Sequence, residues 1–376
     1  MLDDFDYLRN HLFLRVRKLS QSTLKDLYRD HWKKFEKWDV EKQDTFFRKF
    51  LMAKLGPRCF ESGWKTIKPF DLYRKYSNSL MEEAIQRTAD GDTLIGSLHQ
   101  IGDPVSQVKY ELEQLSCYAD SYQELTDCAL VTKNSDLRTL GNRMLFYDDL
   151  TLSRLDSFIL FLKHRCGLQD TDLHIVCDIM ESFIVRRMLC CDDEDSCTVI
   201  NDLFSQAIKE GKYFKHKFTE NLQEELPDPS NEHFSLDNAL SRAWSKKDDN
   251  LILYILYRIE LLKREAKNVQ YNGLYKPLNF GDLKVQARIV SPVNDVRYPA
   301  TECIGNITAL SSEPDDNWDS FTIEDKQRLL KKLAPGLQLS TEITDVLAWL
   351  SDPETQIMNR TVDLLSHFNE IWKPVL

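Results

Sequence analysis

The stretch Thr151-Leu-Ser-Arg-Leu-Asp-Ser-Phe-Ile-Leu-Phe-Leu-Lys-His-Arg165 shows which secondary structure this chain prefers. Its apolar residues Leu155, Phe158, Ile159 and Leu162 occupy positions i, i+3, i+4 and i+7. An α-helix turns once every 3.6 residues, so this spacing places all four side chains on one helical face. The stretch therefore predicts an amphipathic helix, and similar spacing recurs along most of the chain.

On both sides of this stretch, the periodic spacing of apolar residues predicts further helices. They are expected near residues 5–16, 24–35, 44–51, 80–85, 105–120, 122–131, 136–146, 171–190, 251–267, 322–333, 341–350 and 353–371. Only 12 Gly and 12 Pro occur in 376 residues, which favours long helices over a turn-rich β protein. We predict a mainly α fold.

One stretch breaks the helical pattern. Residues 268–301 contain several glycines and prolines, and between these Leu283-Lys-Val-Gln-Ala-Arg-Ile-Val290 alternates apolar and polar side chains. Such alternation predicts a β-strand. We therefore expect a large helical domain over 1–267 and a small α+β domain with C-terminal helices over 268–376, in line with a length that exceeds one core.

Composition restricts the class of protein. No apolar run approaches the roughly 18 residues that span a bilayer, and Asp3, Asp4 and Asp6 near the start have the wrong charge for a signal peptide. We therefore expect a cytoplasmic protein without a membrane partner. The nine cysteines are irregularly spaced and odd in number, which favours free thiols over a disulfide framework or a zinc site.

Charge is unevenly distributed along the chain. Residues 1–75 hold 18 Lys/Arg and 11 Asp/Glu, a net charge of +7, whereas the whole chain has −11 and the remainder therefore −18. Two interpretations follow. The basic end either attracts phosphate or an acidic partner, or it is an ordinary solvated helix surface.

Several short motifs occur in an order typical of one family. The chain opens with Phe5-Asp-Tyr-Leu-Arg-Asn-His-Leu-Phe-Leu-Arg15, continues with Glu181-Ser-Phe-Ile-Val-Arg186-Arg187, and reaches Ile304-Gly305-Asn306-Ile-Thr-Ala-Leu310. In this order the chain resembles GmrSD-type restriction and anti-phage defence proteins, which combine a ParB-like nucleotide-binding domain with an HNH-like nuclease domain. The resemblance implies that 268–376 is an HNH-like ββα domain.

The chain departs from this family in two respects. The resemblance starts at the first residues, and the family's Asp-Gly-Gln-Gln-Arg signature is missing. We therefore expect a separate ParB-like subunit, or a longer gene, to supply the nucleotide-binding half. The second departure concerns the histidine that the family places on a strand before an Ile-x-Pro turn. Here Arg288 stands at the corresponding position, and no histidine occurs between residues 234 and 366.

This replacement affects the expected chemistry. A nuclease of this type needs an imidazole that takes a proton from water, together with a divalent cation such as Mg²⁺. A guanidinium stays protonated and adds positive charge where that cation would bind. The resemblance therefore implies a degenerate site at Arg288 and Asn306 that is unable to cut DNA alone, and we assign the chain no cofactor unless the site is active.

The domain retains residues that could contact DNA phosphates. The candidates are Lys284, Arg297, Lys326, Arg328, Lys331 and Lys332, although the last four also suit the wet face of an amphipathic helix. Asn306 is expected to cap a following helix. Asp315, Asp316 and Asp319 could bind a metal or could simply form a polar loop before Phe321. Upstream, Arg186 and Arg187 could contact a nucleotide or DNA, or could suit the dipole at the end of their helix. Aromatic residues between Trp32 and Phe50 could stack bases, form a core, or form an interface to the nucleotide-binding half.

Three functions remain open from the sequence. The chain is a DNA-associated part of a GmrSD-like defence system, an active metal-dependent endonuclease whose base is another residue such as His367, or a helical interaction scaffold without a nucleic-acid role. The ordered motifs favour the first.

Overall fold

A computed structural model describes residues 3–60, 66–75, 104–126, 155–190, 196–210, 215–224, 249–267, 283, 285–290, 302–314, 317–334, 336–341, 343 and 346–373. The described part is mainly helical and contains one small antiparallel sheet of two strands. Its α-helices are α1 (Asp4–Arg15), α2 (Gln21–Leu27), α3 (Val40–Leu55), α4 (Pro104–Thr126), α5 (Leu155–His164), α6 (Asp170–Cys190), α7 (Ser196–Glu210), α8 (Lys215–Glu224), α9 (Asp249–Lys267), α10 (Ile323–Leu333), α11 (Gln338–Thr341), α12 (Val346–Ser351) and α13 (Pro353–Ile371). The strands are β1 (Val285–Arg288) and β2 (Ile307–Leu310).

Most of the predicted helices within these ranges are confirmed, with four differences. The helix expected at 24–35 ends at Leu27 and is followed by a π-helical turn and a 3-10 helix. The helix expected at 105–120 and the described part of the one expected at 122–131 form the single helix α4. The described part of 341–350 is not one helix, because it contains the end of α11 and most of α12. Helix α3 begins before Asp44, because the carboxylate of Asp39 caps it by accepting a bond of 2.7 Å from the Lys42 amide. The helices predicted at 80–85 and 136–146 lie outside the described residues.

The chain folds into two compact units. Unit 1 comprises Met1–Met144, Ser153–His174 and Ile200–Phe214, and unit 2 comprises Leu145–Leu152, Ile175–Val199 and Lys215–Leu376. These units differ from the predicted division at residue 268, which itself lies outside the described residues. Helix α9 ends at that point but packs against α11, α13 and both strands, so it belongs with the C-terminal elements.

Unit 1 is built around a cluster of aromatic side chains. Phe5 stacks on Trp32 with ring centroids 4.9 Å apart and meets the edge of Phe35 at 5.0 Å, and Phe35 stacks on Phe46. All four are at most 3% exposed. These rings therefore form a core and not an exposed platform for bases.

An unusual segment brings these aromatics inward. After α2, residues Tyr28–Trp32 form a π-helical turn and Lys33–Lys37 form a 3-10 helix. The buried residues Leu27 and Trp32 are five apart, which suits a π turn, whereas Trp32, Phe35 and Trp38 follow at steps of three, which suits a 3-10 helix. The local helix type thus follows the spacing of the buried side chains.

Cations of the N-terminal segment bind acidic residues that come later in unit 1. Arg15 pairs with Glu111 at 2.8 Å, and Lys34 pairs with Asp120 at 2.6 Å. Lys49 pairs with the largely buried Asp156 at 2.8 Å. Part of the positive charge of residues 1–75 is therefore neutralised within the unit, an outcome that neither sequence interpretation included.

Unit 2 is organised around α9, whose residues Leu251–Tyr257 are all buried. A helix that is apolar on every side belongs in the interior of a fold. Glu181, only 1% exposed, accepts bonds of 2.6 and 2.7 Å from Arg258 Nη1 and one of 2.8 Å from the indole of Trp372. This carboxylate fastens α6, α9 and the end of α13 to one another.

Candidate nuclease-like site

The residues of the candidate site lie on β1, on the 3-10 turn Ile304–Asn306 that precedes β2, and on α10. Strand β1 pairs antiparallel with β2, and Arg288 lies opposite Ile307. Helix α10 follows β2 after a short 3-10 turn, Trp318–Ser320. The predicted strand at 283–290 is confirmed over Val285–Arg288, and the chain order is strand, strand, helix.

Arg288 is engaged at both its side chain and its main chain. Its guanidinium donates a bond of 3.3 Å to Glu302, and its side chain is 15% exposed. Its carbonyl oxygen accepts a bond of 2.8 Å from the indole nitrogen of Trp318. The residue at the expected position of the base is therefore held in place by an ion pair and by an aromatic side chain.

Lys326 lies beneath this strand and not on the wet face of α10. It is 2% exposed, its ammonium lies 5.4 Å from the centre of the Trp318 ring, and it is 3.5 Å from the Arg288 carbonyl oxygen. The pKa of Lys326 is lowered to about 8, chiefly by burial; the charge of Asp319 raises it and the charge of Arg288 contributes to lowering it. In this position Lys326 cannot reach a phosphate at the surface.

The remaining cations of α10 are at the surface. Arg328, Lys331 and Lys332 are exposed, and positions i, i+3 and i+4 share one face of a helix. Arg328 also lies 3.5 Å from Asp325, but its side chain is 79% exposed, so this ion pair is weak. Lys284 and Arg297 lie outside the described residues.

Helix α13 approaches the main chain at Gly305 so closely that no side chain fits there. A Cβ atom at this position would lie 2.1 Å from the carbonyl oxygen of Ile357 and 2.4 Å from the hydroxyl of Thr361. The Gly305 amide donates a bond of 3.1 Å to that same hydroxyl. The Gly-Asn motif therefore begins with a residue that permits contact between a turn and a helix.

Asn306 has a structural place and is not at the surface. It is 0% exposed, its side-chain oxygen accepts from the Val290 amide at 2.7 Å, and its side-chain nitrogen donates to the Val290 carbonyl at 2.9 Å. The prediction that it caps a following helix is wrong, because strand β2 follows it. Its amide instead pairs with the main chain just beyond β1.

Arg360 is a site residue to which the sequence assigned no place in the site, although it occurs in the C-terminal pattern of the resembled family. This residue of α13 is 6% exposed and donates to the carbonyl oxygens of Gly305 at 2.8 Å and of Ile307 at 2.7 Å. Its position is set by contacts with main-chain atoms, which a sequence motif does not reveal. The signal available was a charged residue among the apolar positions that α13 buries, which include Ile357 and Leu364.

The other predicted ligands do not assemble into a metal site among the residues that the structure describes. Within those ranges, no group of three His, Cys, Asp or Glu side chains is arranged to hold an ion. Asp319 is exposed, whereas Asp315 and Asp316 lie outside them. His367 binds the Asp363 carbonyl through Nδ1 at 2.8 Å, two helical turns beyond the part of α13 that contacts Gly305.

Arg186 has a role in joining two helices. Its Nε donates to the carbonyl of Trp372 at 3.0 Å, and its guanidinium lies 5.6 Å from the centre of the Phe368 ring. A cation at the carbonyl end of α13 suits the helix dipole. Arg186 therefore interacts with the end of α13, whereas the dipole interpretation concerned the end of its own helix α6, where Arg187 lies in the last turn.

None of the described helices is both long and apolar enough to cross a bilayer. Comparison of the chain with family models, with curated proteins and with solved structures gives no match.

Proposed function

We propose that this chain is a DNA-associated component of a GmrSD-like restriction and anti-phage defence system, and that its HNH-like domain binds DNA without cutting it alone. The observation that carries the proposal is the environment of Arg288, on the first strand of a strand-strand-helix unit. An ion pair with Glu302 and a bond from Trp318 hold this residue where the resemblance expects a general base.

The chemistry of this position argues against hydrolysis. A general base must release and take up protons near the working pH, which a guanidinium does not do. A second cation, Lys326, lies near the Arg288 carbonyl. Two positive groups at one place disfavour the binding of a divalent cation, because like charges repel strongly away from bulk water.

The exposed side of α10 supports the binding half of the proposal. Arg328, Lys331 and Lys332 form a short positive surface on one helix face, and flexible cationic side chains of this kind suit phosphate contacts. Each phosphate contact releases counterions, so DNA affinity should fall steeply as salt increases.

The test measures DNA affinity against salt. Wild-type protein and the triple variant Arg328→Gln/Lys331→Gln/Lys332→Gln are titrated onto a labelled DNA duplex between about 50 and 200 mM salt. Loss of three phosphate contacts should reduce the slope of log K against log salt by about 3, at about 0.9 per contact. The matched control is Lys109→Gln/Lys209→Gln/Lys217→Gln, which removes the same charge from other exposed helix positions.

The outcomes separate the three functions. A smaller slope in the α10 variant and an unchanged slope in the control support the proposal. If the slope of log K against log salt is the same for wild type and the α10 variant, α10 is not the DNA-binding surface. If the chain binds no duplex at low salt, the scaffold function is favoured. Nicking of DNA by the purified chain with Mg²⁺ or Mn²⁺ would show an active nuclease and overturn the non-cutting part.

The ParB-like partner belongs to the same proposal. Residues 1–376 hold no nucleotide-binding signature, so in such a system that half comes either from another subunit or from an in-frame extension of this chain. Co-sedimentation with a purified ParB-like protein encoded next to this gene tests the expectation. If the neighbouring DNA encodes no such protein and no in-frame extension, the proposed family is wrong.

A further inference from the structure

Helix α13 has apolar side chains on its exposed face as well as on its buried face. Its inner face buries Ile357, Leu364 and Phe368, yet Met358 is 45% exposed and Val362 is 64% exposed. Two exposed leucines, Leu347 at 78% and Leu350 at 47%, lie on α12, which packs against α13. Eight large hydrophobic side chains are exposed in the described part of the chain, and half of them lie between residues 347 and 362.

The outer face of α13 follows the spacing of a coiled coil. Thr355, Met358, Val362, Leu365 and Asn369 alternate at steps of three and four, which are positions a, d, a, d and a of a heptad repeat. None of the five is buried. With about 1.5 Å per residue, this row is about 21 Å long. We call these five residues the outer seam.

The composition of the outer seam specifies its occupant. A β-branched residue at a with Leu at d favours a two-stranded parallel pair, and an Asn at a pairs best with the same Asn of an identical helix. Of the flanking positions, the e residues Asn359 and Ser366 are uncharged, the g residues Thr361 and Phe368 are uncharged and buried within the fold, and Glu354, at the g position before the first a, is exposed. A surface without charge at its centre matches a partner surface that is equally uncharged. The same seam on a second copy of the chain is such a surface.

Negative charge at the edge of the outer seam disfavours nucleic acid as its binding partner. Asp363 and Glu370 are exposed on α13 to one side, and Asp363 is held by Lys263 at 2.8 Å. The side-chain oxygen of Asn369 accepts a bond of 3.4 Å from Arg186. Its side-chain nitrogen carries two N–H donors, which can serve a pairing with the same Asn of a second copy.

We propose that two copies of this chain associate through the outer seam, with their α13 helices parallel and in register. Each residue of the seam then meets its own equivalent across a two-fold axis that runs along the helices. The helix is already folded within unit 2, so a seam of two heptads needs no ordering on association. The leucines of α12 extend the apolar contact at one end.

The first experiment measures mass in solution. Sedimentation equilibrium of the full chain at high micromolar concentration should show a species of about 88 kDa, twice the 44.1 kDa of one chain. The variant Val362→Glu places two carboxylates against each other and should weaken association by about tenfold or more. The matched control is Val40→Glu, since Val40 is 60% exposed on a different helix and should leave the mass unchanged.

A second experiment tests orientation and does not depend on the first variant folding. Val362→Cys should form an intermolecular disulfide under mild oxidation, because a parallel pair in register brings the two positions together, whereas Val40→Cys should not exceed the wild-type background. High salt should leave the dimer intact, since it screens the repulsion between two chains of net charge −11 each. DNA binding weakens under the same conditions, so the two proposals can fail separately.

A wild-type chain that sediments at 44.1 kDa at both low and high salt would overturn the proposal. A dimer that survives Val362→Glu and gives no Val362→Cys crosslink would also overturn it, because its interface would then lie elsewhere.

Discussion

Gly305 shows how a single residue sets the packing of the candidate site. The turn that contains it lies so close to α13 that a Cβ atom would fall within 2.4 Å of the Thr361 hydroxyl and nearer still to the Ile357 carbonyl. The Gly-Asn motif that suggested a nuclease family therefore has a complete structural explanation here, because Asn306 in turn holds the main chain of Val290.

We predict that Gly305→Ala lowers the free energy of unfolding by about 2–4 kcal/mol, because main-chain atoms of a packed helix cannot move away cheaply. Urea unfolding measures the change. Gly167→Ala is the control, since no atom lies within 4 Å of its Cβ position and only its positive φ of 71° opposes the change, at about 1–2 kcal/mol. Equal losses for the two variants would contradict the argument from close approach.

Lys326 gives a prediction about pH. Its pKa is lowered to about 8 from 10.5, chiefly by burial, so the unfolded chain binds more protons than the folded one between these values. The contribution of Lys326 to the free energy of unfolding therefore rises with pH between about 8 and 10.5. Lys326→Met should stabilise the protein by about 1–3 kcal/mol at pH 7, because a buried charge is replaced by an apolar side chain of similar length.

Urea unfolding of wild type and Lys326→Met between pH 7 and 10 tests this prediction. The advantage of the variant should shrink as the pH rises above 8. A difference that stays constant over the range would show that the ammonium of Lys326 is not charged within a desolvated site.

At the scale of elements, the helices of unit 2 are joined by buried polar contacts as well as by apolar packing. Glu181 of α6 binds Arg258 of α9 and the indole of Trp372, which follows α13. Glu260 of α9 likewise accepts from the Gln338 and Leu339 amides at 2.8 and 2.9 Å, at the start of α11. Both carboxylates are almost completely buried.

We predict that Glu181→Ala lowers the free energy of unfolding by about 3–5 kcal/mol, because it leaves the charge of Arg258 in a desolvated place. The double variant Glu181→Met/Arg258→Met should recover most of this loss, since it removes both charges. Thermal or urea unfolding measures both.

The exposed ion pair between Arg58 and Asp202 provides the contrast for this prediction. Its side chains are 57% and 60% exposed, so Arg58→Ala should cost at most about 1 kcal/mol. If Glu181→Ala cost no more than Arg58→Ala, the carboxylate would not be holding the three elements together.

At the scale of the whole molecule, the distribution of charge has a structural use. Arg15, Lys34 and Lys49 of the basic N-terminal segment form ion pairs with acidic residues of α4 and α5. Part of the positive charge that suggested a binding surface is therefore neutralised within unit 1. The exposed cations of α10 in unit 2 are then the better candidates for DNA contact.

Unit 1 should also make the molecule sensitive to acid. His164 stacks on Tyr118 at 4.2 Å and bonds to Ser121 at 2.9 Å, and burial lowers its pKa from 6.5 to about 3. The unfolded chain binds more protons between these values, so stability is present above pH 6.5 and is lost as the pH falls toward 3. Each pH unit in that window corresponds to at most about 1.4 kcal/mol.

His164→Gln removes this proton uptake. The variant should be less stable than wild type at pH 7, because it loses the ring contact with Tyr118, but the gap should narrow or reverse by pH 4. Urea unfolding followed by Trp fluorescence measures both proteins across this range. A gap that does not change with pH would contradict a neutral, partly buried His164.

The mainly helical class follows from the sequence alone, because helical periodicity is a local property and residues such as Leu155 and Phe158 carry it within one turn. The strand at Val285–Arg288 is local in the same way. By contrast, the sequence could not place Lys326, whose burial depends on Trp318 and Arg288 coming together, or Arg360, whose two shortest bonds go to main-chain carbonyls more than 50 positions away. Only tertiary packing decides which cations become interior and which remain at the surface, since desolvation depends on every neighbour that the fold supplies.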